Sequence, residues 1–124
     1  MAVHGSLTIT PEWAKNVIGV EGRGVWSAEE ARAHFACLCT LVADLRDRAG
    51  LARVLVDLRE MEPQPKEVVE IIRDITAQIY KQQDRIAILV TTGMQRMQMS
   101  CLTETLNAQL FDDPFAALRW LNQH

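Results

Sequence analysis

Alternating apolar and polar positions mark two short strands near the start of the chain. The segments are SLTIT and NVIGVEGRG, and their apolar positions alternate with polar or small ones: Leu7, Ile9, Ile18 and Val20. A period of two is typical of half-buried β-strands. Because only a few residues around Pro11 separate the segments, they are predicted to form a hairpin-like antiparallel pair at one edge of a sheet.

A helical period begins after Ser27. Ser27 and Glu30 have the spacing of a capping box, in which each side chain satisfies a free amide of the first turn. Apolar residues then recur at intervals of four and three positions: Ala31, Phe35, Leu38, Val42, Leu45 and Ala49. Such a stripe packs on a core, and Gly50 is a typical helix stop. The charged run Arg46–Arg48 is expected to stay in solvent.

Two continuous aliphatic runs indicate strands that are buried on both faces. They are RVLVD, ending at Asp57, and RIAILVTT, ending at Thr92. Parallel sheets require such strands. Between the runs, the loop LREMEPQP precedes a helix predicted over about Lys66 to Gln83, whose apolar residues have helical spacing: Val68, Ile72, Ile75 and Ile79.

The last third of the chain predicts helix, strand and helix. Met94–Leu106 has a shorter helical pattern, and Ala108–Phe111 is a short strand candidate. Asp113 can cap a final helix that Pro114 starts. This helix is expected to bury three apolar residues: Phe115, Leu118 and Leu121.

The order of these elements predicts the fold class. Strands that alternate with helices give parallel neighbours under helical cover. We therefore expect one α/β domain over residues 1–124. It has a four- to five-stranded, mixed but mostly parallel sheet, an N-terminal antiparallel pair and about four helices. The strands around Leu55 and Ile88 should lie side by side in the same direction.

Composition excludes several classes of partner. The 124 residues carry a formal net charge of −3 with a pI near 5.6, so no cationic surface is expected for nucleic acid. The longest aliphatic run, Ile86–Val90, is far shorter than the about 20 residues that cross a bilayer. The N-terminus lacks the pattern of a secretory signal. We predict a cytoplasmic protein with no integral membrane segment.

No residue set predicts catalysis, a metal or a cofactor. The histidines, His4, His34 and His124, are scattered, and each is expected at the surface. The cysteines, Cys37, Cys39 and Cys101, are interpreted as free thiols in a reducing compartment, ahead of metal or redox use. Since no nucleophile, base and metal set converges, an enzyme is not expected.

The candidate site lies where the parallel strands end, because ligands of open sheets gather outside that edge. The residues expected there are Asp57, Arg59, Glu60, Thr91, Thr92, Gly93, Met94, Arg96 and Met97. Free amides after Gly93 offer one way to hold an anion. The alternative is that Asp57 hydrogen-bonds its own loop while Thr91 and Thr92 end a strand and begin a helix.

Three segments carry a family resemblance. They are Asp57-Leu58 at the end of an aliphatic strand, the strand Arg85–Val90, and the ending Phe111–Leu121. Together they resemble the SpoIIAA-like branch of the STAS domain superfamily, which is similar to bacterial antagonists of anti-sigma factors. The resemblance implies a serine that a partner kinase phosphorylates after the Asp-ending strand. This chain departs there, because residues 59–75 contain no serine, threonine or tyrosine.

Two functions follow as hypotheses. The first is a non-enzymatic regulatory module that presents the Asp57–Lys66 loop and the next helix to a protein partner or a second copy. Extra apolar residues on that helix favour self-association: Val69, Ile71 and Tyr80. The second is a carrier or sensor of a small apolar, lipid-like ligand, with the methionine-bearing helix as a movable wall.

Overall fold

The computed structural model describes residues 5–123, which form a five-stranded sheet and four α-helices. The strands are β1 (Ser6–Glu12), β2 (Val17–Gly24), β3 (Arg53–Met61), β4 (Arg85–Leu89) and β5 (Ala108–Phe111). The helices are α1 (Ala28–Ala49), α2 (Lys66–Ile79), α3 (Gly93–Thr105) and α4 (Pro114–Leu121). A single turn of 3₁₀ helix, Trp13–Lys15, joins β1 to β2.

The sheet is mixed, as the sequence predicts. Its strands lie in chain order, with β1 antiparallel to β2 and every other neighbouring pair parallel. Leu55 lies opposite Ala87 and Val56 opposite Ile88, so the two central strands run side by side in the same direction. The fold class is confirmed.

The helices cover the two faces of the sheet unequally. On one face, alternate strand residues such as Val54 and Ile88 pack under α1, α2 and α3 in the main core. On the other face, Ala87 and Leu89 pack against α4, through Leu121 and its neighbours. Since the contacts of α4 with the sheet are mainly to β3, β4 and β5, residues 5–123 leave this second face uncovered over β1 and β2.

The helix starts follow the predicted caps. Ser27 and Glu30 form the capping box of α1, and Gly50 ends that helix with a left-handed backbone, φ 84°. Asp113 caps α4 by accepting a hydrogen bond from the amide of Phe115. The sequence predicts these caps because each involves residues within one turn of the helix end.

Three predicted boundaries are wrong. Strand β3 continues to Met61, because Glu60 and Met61 pair with β2 after a register shift near Glu21. Helix α2 ends at Ile79 rather than Gln83, since Tyr80 takes an extended backbone. Strand β4 ends at Leu89, and the following threonines turn toward α3.

The predicted burial of two residues and the predicted exposure of a third are also wrong. Phe115 is 71 % exposed and Leu118 37 % exposed, because α4 turns Ala117, Leu121 and part of Trp120 toward the sheet instead. Arg46, which the sequence predicts to stay in solvent, instead pairs with the fully buried Asp84.

Candidate functional site

The uncovered face of the sheet holds the first group of predicted site residues. Asp57 and Arg59 lie on β3 itself, two residues apart, so both side chains point away from the main core. Together with Glu21, Arg23 and Glu60 they line an open polar concavity of about 440 Å³. A second hollow of about 260 Å³ continues from Asp57 and Arg59 toward Thr8 and Pro114.

Charges on this face pair with each other. Arg59 Nε and Nη2 donate to the two carboxylate oxygens of Asp57 at 3.0 and 2.8 Å, and the Arg59 amide donates to Oδ1 at 3.1 Å. The Arg59 side chain therefore lowers the pKa of Asp57, helped by its backbone amide against the effect of burial. Arg23 pairs with Glu21 on β2 through its Nε. Four of the charged side chains on this face therefore form two ion pairs.

The second group lies beside the loop between β3 and α2. Thr92 and Met94 line a groove of about 220 Å³ with the loop residues Glu62 and Pro63. Met94 is 44 % exposed and Met97, one turn further along α3, is 63 % exposed. Exposed methionine side chains are flexible and apolar, and they adapt to varied partner surfaces.

Thr92 and Gln95 fix the start of α3. They form a capping box, in which the Thr92 hydroxyl accepts from the Gln95 amide at 3.1 Å. The Gln95 carboxamide oxygen accepts from the amides of Thr91 and Thr92 at 2.7 and 3.2 Å. The Gln95 amide, one of those after Gly93 that could hold an anion, is thus already bonded, and Thr91 and Thr92 act here as helix-start residues.

Three glutamines hold the β3–α2 loop in one conformation. The buried Gln64 side chain accepts from the Trp26 amide at 2.9 Å and donates to the Gly24 carbonyl at 2.7 Å. Gln98 accepts from the Gln64 amide and donates to its carbonyl, each at 2.9 Å. Gln95 donates to the Met61 carbonyl at 3.0 Å. The loop is thus attached to β2, to Trp26 just before α1, and to α3.

The structure divides the predicted site. Asp57, Arg59 and Glu60 lie on the uncovered sheet face, whereas Thr92 and Met94 lie at the groove. The remaining predicted residues are exposed around the start of α3: Thr91, Gly93, Arg96 and Met97. Gln95 connects the two groups, since it also donates to the Arg59 carbonyl at 3.2 Å.

Sequence reasoning missed the three glutamines. Gln64 lies in the loop, and Gln95 and Gln98 lie on α3. The hydrogen bonds by which they hold the loop join residues that are 34 or more positions apart in the sequence. The only local signal is Gln64 between Pro63 and Pro65, an amide in a loop that otherwise has few hydrogen-bonding side chains.

His34 corrects the expectation of surface histidines. It is 8 % exposed on α1, stacks edge-on against Phe35 at 4.9 Å, and burial lowers its pKa from 6.5 to about 4. His4 and His124 lie outside the described residues. Cys37 and Cys39 are exposed free thiols, and Cys101 is half-buried.

His34 also lines an apolar cavity between the sheet and helices α1, α2 and α3. Its volume is about 50 Å³, and its walls run from Leu7 on β1 to Leu102 on α3. Within residues 5–123 no cluster of His, Cys, Asp and Glu side chains is placed to bind a metal ion. No helix in that same range is long and apolar enough to cross a membrane.

Fold and surfaces together define a STAS-type α/β domain. The chain belongs to the SpoIIAA-like family, whose model matches residues 17–122. Two solved structures share the fold. One is an anti-sigma factor antagonist from Mycobacterium paratuberculosis, with 15 % identity and a TM-score of 0.65, covering 96 % of this chain and 95 % of that one. The other is an uncharacterized protein with a SpoIIAA-like fold from Shewanella loihica PV-4, with 17 % identity and a TM-score of 0.68, covering 98 % and 95 %. No curated protein matches this chain.

Proposed function

We propose that this protein is a non-enzymatic regulatory module that binds a protein partner at the groove between the β3–α2 loop and α3. The observation that carries the proposal is the exposed Met94, which lines the groove beside a loop that the glutamines hold fixed, with Met97 exposed one turn further along α3. The similar anti-sigma factor antagonist supports a role in protein-protein regulation.

Physical reasons favour this surface over the polar face of the sheet. Exposed apolar side chains release free energy when a partner covers them. A loop that is already ordered loses little conformational entropy on binding, which raises affinity. By contrast, four charges of the sheet face already form two ion pairs, Asp57–Arg59 and Glu21–Arg23, which a partner there would have to replace.

The chain departs from a phosphorylation switch at this place. Residues 59–75 contain no hydroxyl side chain, and the first one after them, Thr76, is buried and donates to the Ile72 carbonyl at 2.7 Å. A phosphate group therefore has no attachment point in the loop or the first turns of α2. Binding at the groove is proposed to be independent of phosphorylation there.

The test is site-specific photo-crosslinking in the source cells. A photoreactive residue at position 94 or 97 is expected to capture the same protein, and excess unlabelled wild-type protein should abolish capture. Gln78 provides the control, because it is exposed near the carboxyl end of α2, whereas the β3–α2 loop lies at the amino end. The Met97→Glu variant should fail to compete. Identical adducts from position 78, or none from 94 and 97, would refute the proposal.

The carrier hypothesis depends on the apolar cavity. Its about 50 Å³ is a third of the about 150 Å³ that accommodates one benzene molecule in a protein core. A lipid-like ligand would therefore require α3 to move away from the sheet. Native mass spectrometry of gently purified protein tests this alternative, which predicts a retained lipid-like mass. Detection of the polypeptide mass alone would refute the carrier hypothesis.

A further inference from the structure

Strand β1 is a long, free edge of the sheet. The other edge, β5, has four residues, whereas β1 has seven. In the described part of the chain, the sheet pairs β1 with β2 alone, and its outer side has no strand neighbour. Unpaired backbone groups along such an edge are a template for another strand.

The outward-facing backbone groups of β1 follow from its contacts. The Ser6 carbonyl accepts from the indole of Trp26 at 3.2 Å, and the Thr10 carbonyl lies beside Gly19 on β2. In an antiparallel pair, successive residues alternate between facing the neighbour and facing away. Leu7, Ile9 and Pro11 therefore face outward. Pro11 fits this assignment, because proline in a sheet lies where its missing amide would face solvent.

Over Ser6–Thr10 the edge lacks the charged and proline residues that usually protect an edge strand from pairing. Ser6–Thr10 carries no charge, and only Pro11 and Glu12 limit the strand at its end. Leu7 and Ile9 pack partly on the main core but are half-buried, whereas Thr8 and Thr10 are exposed on the uncovered face. A short, uncharged segment with outward amides is complementary to itself when two copies run antiparallel.

We propose that two copies of this chain associate through β1, antiparallel about a two-fold axis at Thr8. Leu7 then pairs with the partner's Ile9, and Ile9 with the partner's Leu7, which uses all four outward amides in hydrogen bonds. Thr8 lies opposite the partner's Thr8 on the uncovered face. The two sheets become one continuous sheet, and the half-buried Leu7 and Ile9 cover each other across the axis.

The expected dimer is weak. One strand-to-strand contact buries less than the about 1,000 Å² of a stable interface. We therefore expect a micromolar or weaker equilibrium that depends on concentration. The groove at α3 stays open in this dimer, since it lies at the loop after β3 and not at β1. If the dimer does not form, the proposal that a protein partner binds at the groove is not affected.

Disulfide trapping tests the register. In a background with Cys37, Cys39 and Cys101 replaced by serine, the Thr8→Cys variant is expected to form a covalent dimer under mild oxidation. The Cα atoms at position 8 of the two copies would lie about 4.5 Å apart, within the range of a disulfide. Thr10→Cys is the matched control, because its symmetry mate would lie about 13 Å or more away. Equal yields from the two variants would refute the register.

Sedimentation equilibrium tests the association itself. Wild-type protein should pass from monomer to dimer as its concentration rises into the millimolar range. Thr8→Lys places two like charges together on the axis and should weaken the dimer at least tenfold. Within one copy this lysine lies opposite Glu21 of β2, so folding should not suffer. Thr10→Lys should dimerise like wild type. A wild-type protein that stays monomeric throughout would overturn the proposal.

Discussion

His34 is a titratable side chain in an apolar environment. It contacts Phe35 and lines the core cavity, where burial lowers its pKa to about 4. At neutral pH its ring is therefore uncharged in the folded protein. Unfolding exposes the ring to water, where its pKa returns to about 6.5. Protons thus bind the unfolded chain more tightly than the folded one.

The stability of the protein should fall between pH 7.5 and pH 5.0 because of His34. A lowered histidine pKa gives a stability that is complete above about pH 6.5 and is lost as the pH falls toward 4. At pH 5.0 the expected loss is about 2 kcal/mol. Urea unfolding of wild type and His34→Leu at both pH values checks this, and the variant should lose far less. Equal losses in both proteins would show that other groups cause the change.

At the scale of elements, the capping residues and the buried strands could be predicted, whereas the ends that depend on distant neighbours could not. Ser27, Asp113 and the run at Ile86–Leu89 act within a few residues of sequence. The extension of β3 to Met61 depends on pairing with β2, which no local pattern records. Likewise, the exposed side of α4 depends on where the sheet lies.

Gln98 should control the order of the β3–α2 loop without controlling the fold. Its side chain makes both bonds to the backbone of Gln64, so Gln98→Ala leaves those groups to water. Each net hydrogen bond contributes about 1 kcal/mol. We expect at least tenfold faster hydrogen exchange at the amides of residues 62, 64 and 66, since residues 63 and 65 are prolines, and unchanged exchange in the strands. Gln78→Ala, on exposed α2 surface, is the control. Unchanged exchange at residue 64 would contradict the assigned role.

Helix α4 should tolerate change on its outer side and not on its inner side. Phe115→Ser is expected to alter the free energy of unfolding by no more than about 0.5 kcal/mol, as surface substitutions do. Leu121 is fully buried against the sheet, so Leu121→Ala should cost about 2–5 kcal/mol. Denaturant titrations of both variants measure the difference. A large loss for Phe115→Ser would mean that the exposed ring packs on something in solution, such as another copy.

At the scale of the whole molecule, three arginines and one aspartate connect the layers. Arg53 and Arg85 donate to the carbonyls of Leu121 and Trp120 at 2.7 and 2.8 Å, which joins the end of α4 to the sheet. On the opposite side, Arg46 near the end of α1 pairs with Asp84 and also donates to the Ile79 carbonyl at 3.1 Å. These bonds lie at the amino end of the parallel strands, and the groove lies at the other end.

Removing Asp84 should destabilise the whole fold more than any surface charge does. Its carboxylate accepts from Arg46 and from the amides of Ala52 and Lys81, each of the latter at 2.8 Å. Burial alone would raise the pKa of Asp84, but these bonds outweigh burial and lower it, so its contribution is present above about pH 4 and is lost in stronger acid. Because Asp84→Ala leaves Arg46 without its partner charge, it should cost about 3–5 kcal/mol at neutral pH. Asp74→Ala, which breaks the exposed pair with Arg73, should cost far less, because solvent screens that pair. Chemical unfolding of the two variants decides the matter, and equal losses would show that the buried pair contributes no more than an exposed one.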